Sequence, residues 1–193
     1  AFFEMASLVG LGSIPSEKRN PLELETRGIG ELILQLVDQG VKTICVGIGG
    51  SATNDGGIGM AAGLGIAFYD EQGHLLRPVG ASLGRVARID TSAVPKALED
   101  IELQVLTDVT NPLCGSQGAT YIFGGQKGLN PLLFPAVDQA MQDFYQLADA
   151  RILSMPSAGA GGGMAAGLVA FAGGQISSGI EKSLRSEEHT SEL

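Results

Sequence analysis

The sequence predicts an α/β fold in which a parallel sheet with flanking helices is joined to a smaller α+β portion that contains a β-hairpin. Two observations carry this prediction. Short apolar runs that include β-branched residues, at 43–46 and 103–106, are typical of strands buried on both faces of a parallel sheet. Segments with helical periodicity alternate with such runs along the chain, which indicates crossover connections between parallel strands.

The first predicted helix covers residues 30–39 and leads directly into the strand at 43–46. Its apolar positions 32, 33, 36 and 37 share one face, and Gly40 follows as a C-terminal cap. After the strand, residues 56–66 are rich in Gly and Ala and predict a closely packed helix. Residues 66–70 and 74–76 flank a Glu-Gln-Gly turn and predict the hairpin. Residues 85–90 form either a strand or a connector.

The remaining elements follow the second apolar strand. Residues 119–123 predict a further strand, and residues 132–153 predict a long helix with an apolar stripe along one face. A run of glycines at 158–163 then leads into a helix of small residues that extends to Phe171. This run is either a second ligand loop or a tight packing joint.

The glycine-rich loop at residues 47–57 is the strongest functional signal. A strand that turns through glycines into a helix directs backbone N–H groups at a ligand, most often phosphate. The chain has no Gly-Lys-Ser/Thr triplet, which excludes the nucleotide P-loop. Gly47, Gly49 and Ala52 satisfy the loose dinucleotide fingerprint, with Asp70 at the distance of a ribose-binding acid. The hairpin after Tyr69 counts against that fold, and a purely structural glycine turn is the other alternative.

Two carboxylates stand at predicted strand ends. Asp55 lies inside the glycine loop, where it would repel a pyrophosphate but could serve a bound Mg²⁺ or a substrate hydroxyl. Asp108 and Asn111 follow the strand at 103–106, at the edge of the sheet where ligands collect in α/β folds. A plain Asx turn ahead of Pro112 explains Asp108 and Asn111 equally well at this point.

Composition excludes several classes of partner. The formal net charge of −9 and the absence of clustered Lys or Arg make nucleic acid or an anionic membrane a poor partner. The two cysteines, Cys45 and Cys114, match neither a zinc site nor a disulfide framework. No apolar run is long enough to span a bilayer. A cytoplasmic protein is therefore expected, and homo-oligomer formation is left open.

Six segments, in this order along the chain, resemble the type I glycerate kinase family. They are EMAS at 4–7, KRNPL at 18–22, GIGELI at 28–33, the glycine loop at 47–57, TDVTNPL at 107–113 and FGGQKG at 123–128. The chain departs from the family pattern at Gly125, where proline is usual, and at Ile29, where threonine is frequent. Gly125 loosens the loop that presents Lys127.

The resemblance implies a two-domain kinase fold and the ATP- and Mg²⁺-dependent phosphorylation of D-glycerate to a phosphoglycerate, usually the 2-phosphate. Because phosphoryl transfer needs a metal, cations on the phosphates and a carboxylate at the attacking hydroxyl, we expect Asp55 and Asp108 to be catalytic. Asp108 is also the expected metal ligand. The expected substrate or phosphate contacts are Gly49, Gly50, Ser51, Thr53, Asn111 and Lys127. The alternatives are a dinucleotide-dependent oxidoreductase and a non-catalytic module that binds a nucleotide or a sugar acid.

The resemblance covers residues 1–184, and we expect this stretch to be an internal, incomplete piece of the kinase fold. It would contain part of a Rossmann-like domain and most of a second domain, and alone it would be inactive. Residues 185–193 resemble a translated sequencing adapter and are expected to be a non-native tail.

Overall fold

A computed structural model describes residues 1–177 and confirms the predicted α/β fold. The main sheet has four strands in the order β1-β2-β5-β6, all parallel, and β3 pairs with β4 in a separate antiparallel sheet. The strands are β1 (Phe2–Glu4), β2 (Thr43–Gly47), β3 (Ala67–Tyr69), β4 (Arg88–Asp90), β5 (Glu102–Leu106) and β6 (Gln175–Ser177). The helices are α1 (Ala6–Val9), α2 (Arg27–Asp38), α3 (Ile58–Gly63), α4 (Ala119–Phe123), α5 (Phe134–Ala148) and α6 (Ala160–Ala172).

The predicted central strands are confirmed, because β2 and β5 lie side by side in the middle of the sheet. Ile44, Val46, Leu103 and Val105 are at most 2% exposed, so these strands contribute to the core that they share with α2 and α6. A second apolar cluster lies under α5 and is centred on Phe68 and aromatic residues of that helix. Both outer strands, β1 and β6, are only three residues long and too short to show periodicity in the sequence.

The predicted strand at 119–123 is wrong, because these residues form helix α4. Their β-branched and aromatic side chains favour a strand locally, but Ala119 and Thr120 are fully buried against neighbouring helices. The predicted helix at 132–153 also differs, since α5 ends at Ala148. Asp149 adopts an extended conformation there, with φ −162°, and its side chain caps a following 3₁₀ turn by accepting from the Arg151 N–H.

The hairpin prediction is correct for the turn and incomplete for the sheet. The Leu76 N–H donates to the Phe68 carbonyl at 2.8 Å, and Tyr69 forms an isolated antiparallel bridge with Leu75. The full ladder partner of β3 is however β4, which settles residues 85–90 as containing a strand. Asp70 accepts N–H bonds inside this turn, at 2.8 Å from His74 and 3.0 Å from Gln72. Its carboxylate therefore stabilises the turn.

The glycine run in the first turn of α6 is a packing joint that also reaches the main cavity. Gly161, Gly162 and Gly163 all have positive φ, between 66° and 88°. A Cβ on Gly162 would lie 2.1 Å from the carbonyl oxygen of Thr53, so only glycine allows these two backbones to meet. The Gly56 N–H donates to the Gly162 carbonyl at 3.0 Å across this contact. The glycine run therefore packs directly against the glycine loop at 47–57.

Helices α2 and α3 also pack backbone to backbone. A Cβ on Gly30 of α2 would lie 2.1 Å from the Met60 carbonyl oxygen, whereas a Cβ on Gly28 would meet nothing within 4 Å. We expect Gly30→Ala to lower the free energy of unfolding by about 1–3 kcal/mol through overpacking. Gly28→Ala, the matched control on the same helix, should be neutral or stabilising by up to about 1 kcal/mol. Urea unfolding of both variants checks this, and equal midpoints would contradict the close contact.

Within residues 1–177, no helix combines the length and the apolar character that crossing a bilayer requires.

Candidate active site

The site lies where the strands of the parallel sheet end. Glu4, Gly47 and Leu106 are in register across β1, β2 and β5, so they form a row at the carboxyl edge of the sheet. A cavity of about 970 Å³ opens along this row. Ligands bind at this edge in open α/β sheets, because the loops that leave the strands converge there.

Five of the residues predicted from the sequence line this cavity. They are Gly49, Gly50, Ser51, Asp108 and Lys127. They come from segments that are far apart in the chain, and the parallel pairing of β2 with β5 brings two of these segments together. Thr53, Asp55 and Asn111 are not among the lining residues.

Lys127 is a buried cation in the cavity wall. It ends a 3₁₀ turn at Gly125–Lys127, and its side chain is only 3% exposed. The ammonium donates to the Ser51 hydroxyl at 3.0 Å and to the Thr53 carbonyl at 2.7 Å. An ammonium group has three N–H donors, so one N–H remains for a ligand in the cavity. Burial lowers the pKa of Lys127 to about 8, and the nearby Asp55 carboxylate opposes part of that shift.

Asp55 is fully buried beneath the loop. Its carboxylate accepts from the Thr26 hydroxyl at 2.6 Å and from the N–H groups of Gly57 and Gly59 at 3.0 and 3.3 Å. These N–H groups lie at the start of α3, where a carboxylate is favoured by the helix dipole. Burial raises the pKa of Asp55, while the three hydrogen bonds and the charge of Lys127 lower it. The geometry therefore gives Asp55 a loop-holding contact and no exposure to the cavity.

Asp108 also lines the cavity. It follows β5 by two residues and is exposed. The preceding Thr107 hydroxyl accepts the Val109 N–H at 3.3 Å, a local side-chain to backbone bond typical of a turn. Asn111 is used within the same loop, because its side-chain amide donates to the Gln117 carbonyl at 2.8 Å.

The loop that carries Asp108 is held from α5. Asp138 is 9% exposed, and both of its carboxylate oxygens accept the Gly115 N–H, at 2.9 and 3.1 Å. Burial raises the pKa of Asp138, and the pKa of the adjacent Cys114 thiol is raised to about 12. Cys114 is therefore a thiol at neutral pH, and it is not among the residues that line the cavity.

Glu4 is the cavity residue that sequence reasoning did not single out as functional. It ends β1, lines the cavity and faces Gly47. The sequence signal that could have found it is a carboxylate directly after the short apolar run Phe2-Phe3, at the start of the first family-like segment. Asp70, the acid that the dinucleotide fingerprint would use, lies outside the cavity and in the antiparallel portion.

Comparison with known proteins shows the family to which this chain belongs. A family model described as the glycerate kinase family matches residues 1–191. The chain belongs to the glycerate kinase family. The match extends into residues 185–191, beyond the described part of the chain, and the non-native origin of the tail stays a prediction.

Individual relatives of this glycerate kinase family member are similar over nearly all of its length. It is 56% identical to "Glycerate kinase" of Neisseria meningitidis serogroup B, over 95% of this chain and 50% of that protein. It is 43% identical to "Glycerate 2-kinase" of Escherichia coli K12, over 98% of this chain and 51% of that protein. A crystal structure assigned as glycerate kinase 2 from Salmonella typhimurium LT2 superposes with a TM-score of 0.89 at 44% identity, over 93% and 49% of the two chains. The chain thus spans about half the length of the curated relatives it matches.

Proposed function

We propose that this chain forms part of the catalytic cleft of a kinase that transfers a phosphoryl group from ATP to a hydroxyl of D-glycerate. The product would be a phosphoglycerate, and we propose the 2-phosphate. The observation that carries the proposal is the buried Lys127 ammonium, which is held against the glycine loop with one N–H left for an anion. Membership of the glycerate kinase family supports the substrate.

The groups in the cavity match the demands of phosphoryl transfer. The reaction needs little covalent chemistry from the protein, and it depends on charge stabilisation and on positioning of the attacking hydroxyl. Lys127 and the backbone of Gly49, Gly50 and Ser51 would hold phosphate or carboxylate oxygens. Asp108 would align the glycerate hydroxyl and accept its proton as the oxygen attacks the terminal phosphorus of ATP. ADP would leave with the electron pair of the broken P–O bond.

The remaining predicted residues would act through these groups. Thr53 positions Lys127 through its carbonyl, and Asp55 holds the loop and balances the lysine charge. Asn111 ties the loop after β5 and so fixes the approach of Asp108. We therefore propose Asp108 as the carboxylate that meets the substrate and Asp55 as a positioning residue.

The cavity also fits a magnesium ion. Mg²⁺ prefers hard oxygen ligands and in kinases usually takes one or two carboxylates, together with phosphate oxygens and water. Within residues 1–177 no group of three His, Cys, Asp or Glu residues could hold a metal. Asp108 would hold the ion, and Thr107 lines the same cavity. When bound, Mg²⁺ would neutralise charge that develops on the transferring phosphoryl group.

An assay of the full reading frame that contains this chain tests the proposal. ADP release would be coupled to a dehydrogenase in the presence of D-glycerate, ATP and Mg²⁺, with L-glycerate and lactate as matched acceptors. Turnover with D-glycerate is expected, and its absence would overturn the proposal. Tight binding of glycerate without turnover would favour the non-catalytic module. Binding of a reduced nicotinamide cofactor, detected as a change in fluorescence during a titration, would favour the oxidoreductase, although Asp70 lies outside the cavity.

The pKa of Lys127 predicts how the activity depends on pH. The protonated ammonium is the anion-binding form, and its pKa is about 8 instead of 10.5. Raising the pH through about 8 should therefore remove the charge and lower kcat/KM, which reports groups of the free enzyme. A profile of kcat/KM from pH 6 to 10 would measure this fall, the alkaline limb. Lys127→Met should be less active at pH 7 by about tenfold or more, and its profile should lack the alkaline limb. A limb near pH 8 that persists in the variant would assign it to another group.

A further inference from the structure

We propose that the cavity binds the nucleotide with its ribose hydroxyls at Glu4 and its phosphates at Lys127. This inference rests on the proposed kinase function and goes beyond it, because it assigns a ribose-binding residue and a direction to the nucleotide. Three observations carry the inference: the contact of Glu4 with Gly47, the positions of the two charges along the loop, and the apolar wall of the cavity.

The Glu4 carboxylate lies directly on Gly47. A Cβ built on Gly47 would be 2.3 and 2.6 Å from the two carboxylate oxygens of Glu4, so the glycine leaves the space that the carboxylate occupies. Glu4 is exposed towards the cavity that it lines. Among the residues that the structure describes, no hydrogen-bond donor or cation partners this carboxylate. It is therefore an acceptor that is available to a ligand.

The cation and this carboxylate contact the glycine loop at two different positions. Glu4 contacts the loop at Gly47, and Lys127 contacts it at Ser51. Four residue steps separate Gly47 from Ser51, which limits their separation to roughly 13 Å. A ligand that carries anionic groups at one end and hydroxyls at the other satisfies both charges. A carboxylate at the ribose end also avoids repulsion with the phosphates.

Much of the rest of the cavity lining is apolar and suits a purine. The apolar lining residues are Phe2, Leu11, Ile48, Leu106, Val109 and Phe123, and the polar Thr107 and Gln126 also line the cavity. Glycerate has no apolar group to place against these side chains, and a three-carbon acid would fill a small part of about 970 Å³. An aromatic base buries apolar surface and can stack on the phenyl rings.

The strand order supports the same direction. In α/β nucleotide sites, the acid that binds the ribose stands at the carboxyl end of a strand near the glycine loop. Here β1 is parallel to β2 and adjacent to it, and Glu4 pairs with Gly47, the first glycine of the loop. Asp70 was the sequence-based candidate for this role, and the antiparallel pairing of β3 with β4 removes it from the sheet edge. Glu4 has the corresponding position, because it ends β1, the strand next to the one that leads into the glycine loop.

Equilibrium binding of ADP in EDTA tests the inference without metal and without turnover. Calorimetry on the full reading frame would compare ADP, 2′-deoxy-ADP and 3′-deoxy-ADP. We expect at least one deoxy analogue to bind the native protein about tenfold to a hundredfold more weakly, as for a lost hydrogen bond to a charged group. Glu4→Ala should lower the affinity for ADP by the same factor. Its affinity for that deoxy analogue should equal the affinity of the native protein for it. Glu71→Ala, which removes an exposed carboxylate outside the cavity, is the matched control.

A second variant tests the Gly47 contact. Gly47→Ala should displace the flexible Glu4 side chain and lower the affinity for ADP as much as Glu4→Ala does. The double variant should bind ADP no more weakly than Glu4→Ala alone. The inference is overturned if Glu4→Ala leaves ADP binding unchanged, or if it weakens ADP and both deoxy analogues equally. ADP binding that depends on Glu4 without any glycerate turnover would uphold the ribose site and reject the proposed function. Glycerate turnover by the native protein, together with an equal loss of affinity for ADP and both deoxy analogues in Glu4→Ala, would uphold the proposed function and reject the ribose site.

Discussion

Asp108→Asn is expected to lower kcat for glycerate phosphorylation by about a hundredfold or more, with little change in stability. Loss of a general base or of a charge-stabilising group has effects of this size. Asparagine keeps the shape of the side chain and its capacity to form an Asx turn, but it is neither an anionic base nor a strong Mg²⁺ ligand. Because Asp108 is exposed on the cavity wall, the fold should tolerate the change.

Steady-state kinetics of the full reading frame across a Mg²⁺ series would measure this effect. Asp38→Asn, an exposed aspartate at the end of α2 and outside the cavity, is the matched control and should keep native activity. Partial rescue of Asp108→Asn by excess Mg²⁺ would indicate metal ligation, and no rescue would indicate the base. A near-native kcat in Asp108→Asn would reduce the loop after β5 to scaffolding.

Asp55→Asn is expected to act on stability first, lowering the free energy of unfolding by about 2 kcal/mol. The Asp55 carboxylate accepts three hydrogen bonds in a fully buried place. An asparagine side chain has one acceptor oxygen, so an N–H at the start of α3 would face an amide N–H₂ group and lose its partner. The change also removes the negative charge that supports the buried ammonium of Lys127.

Urea unfolding of Asp55→Asn beside Asp108→Asn would separate the two carboxylates. We expect a lower midpoint for Asp55→Asn only, with activity falling in parallel because the loop and Lys127 lose their support. If Asp55→Asn unfolds like the native protein and yet turns over a hundredfold more slowly, Asp55 would return as a reacting carboxylate. That result would require the loop to open towards the substrate.

Local sequence patterns predicted the elements whose own residues specify them. The apolar residues of the runs at 43–46 and 103–106 indicate buried strands, and the sequence of α2 shows an amphipathic period. The pattern failed where packing overrides propensity. The segment 119–123 carries side chains that favour a strand, but it forms α4, whose Ala119 and Thr120 are buried against α5 and α6 while Tyr121 and Ile122 stay exposed. A three-residue strand such as β1 leaves no period to detect.

The same division applies to the site. Residue types and strand ends by themselves determined that a glycine loop, Asp108 and Lys127 are candidates, because their chemistry does not depend on the distant chain. Only the tertiary structure decided which candidates meet, since strand pairing sets distances between residues remote in sequence. It turned Asp55 inwards, where the start of α3 offers N–H donors, and moved Asp70 to another sheet. It also brought Glu4 onto Gly47, because parallel pairing in register aligns the last residues of β1 and β2.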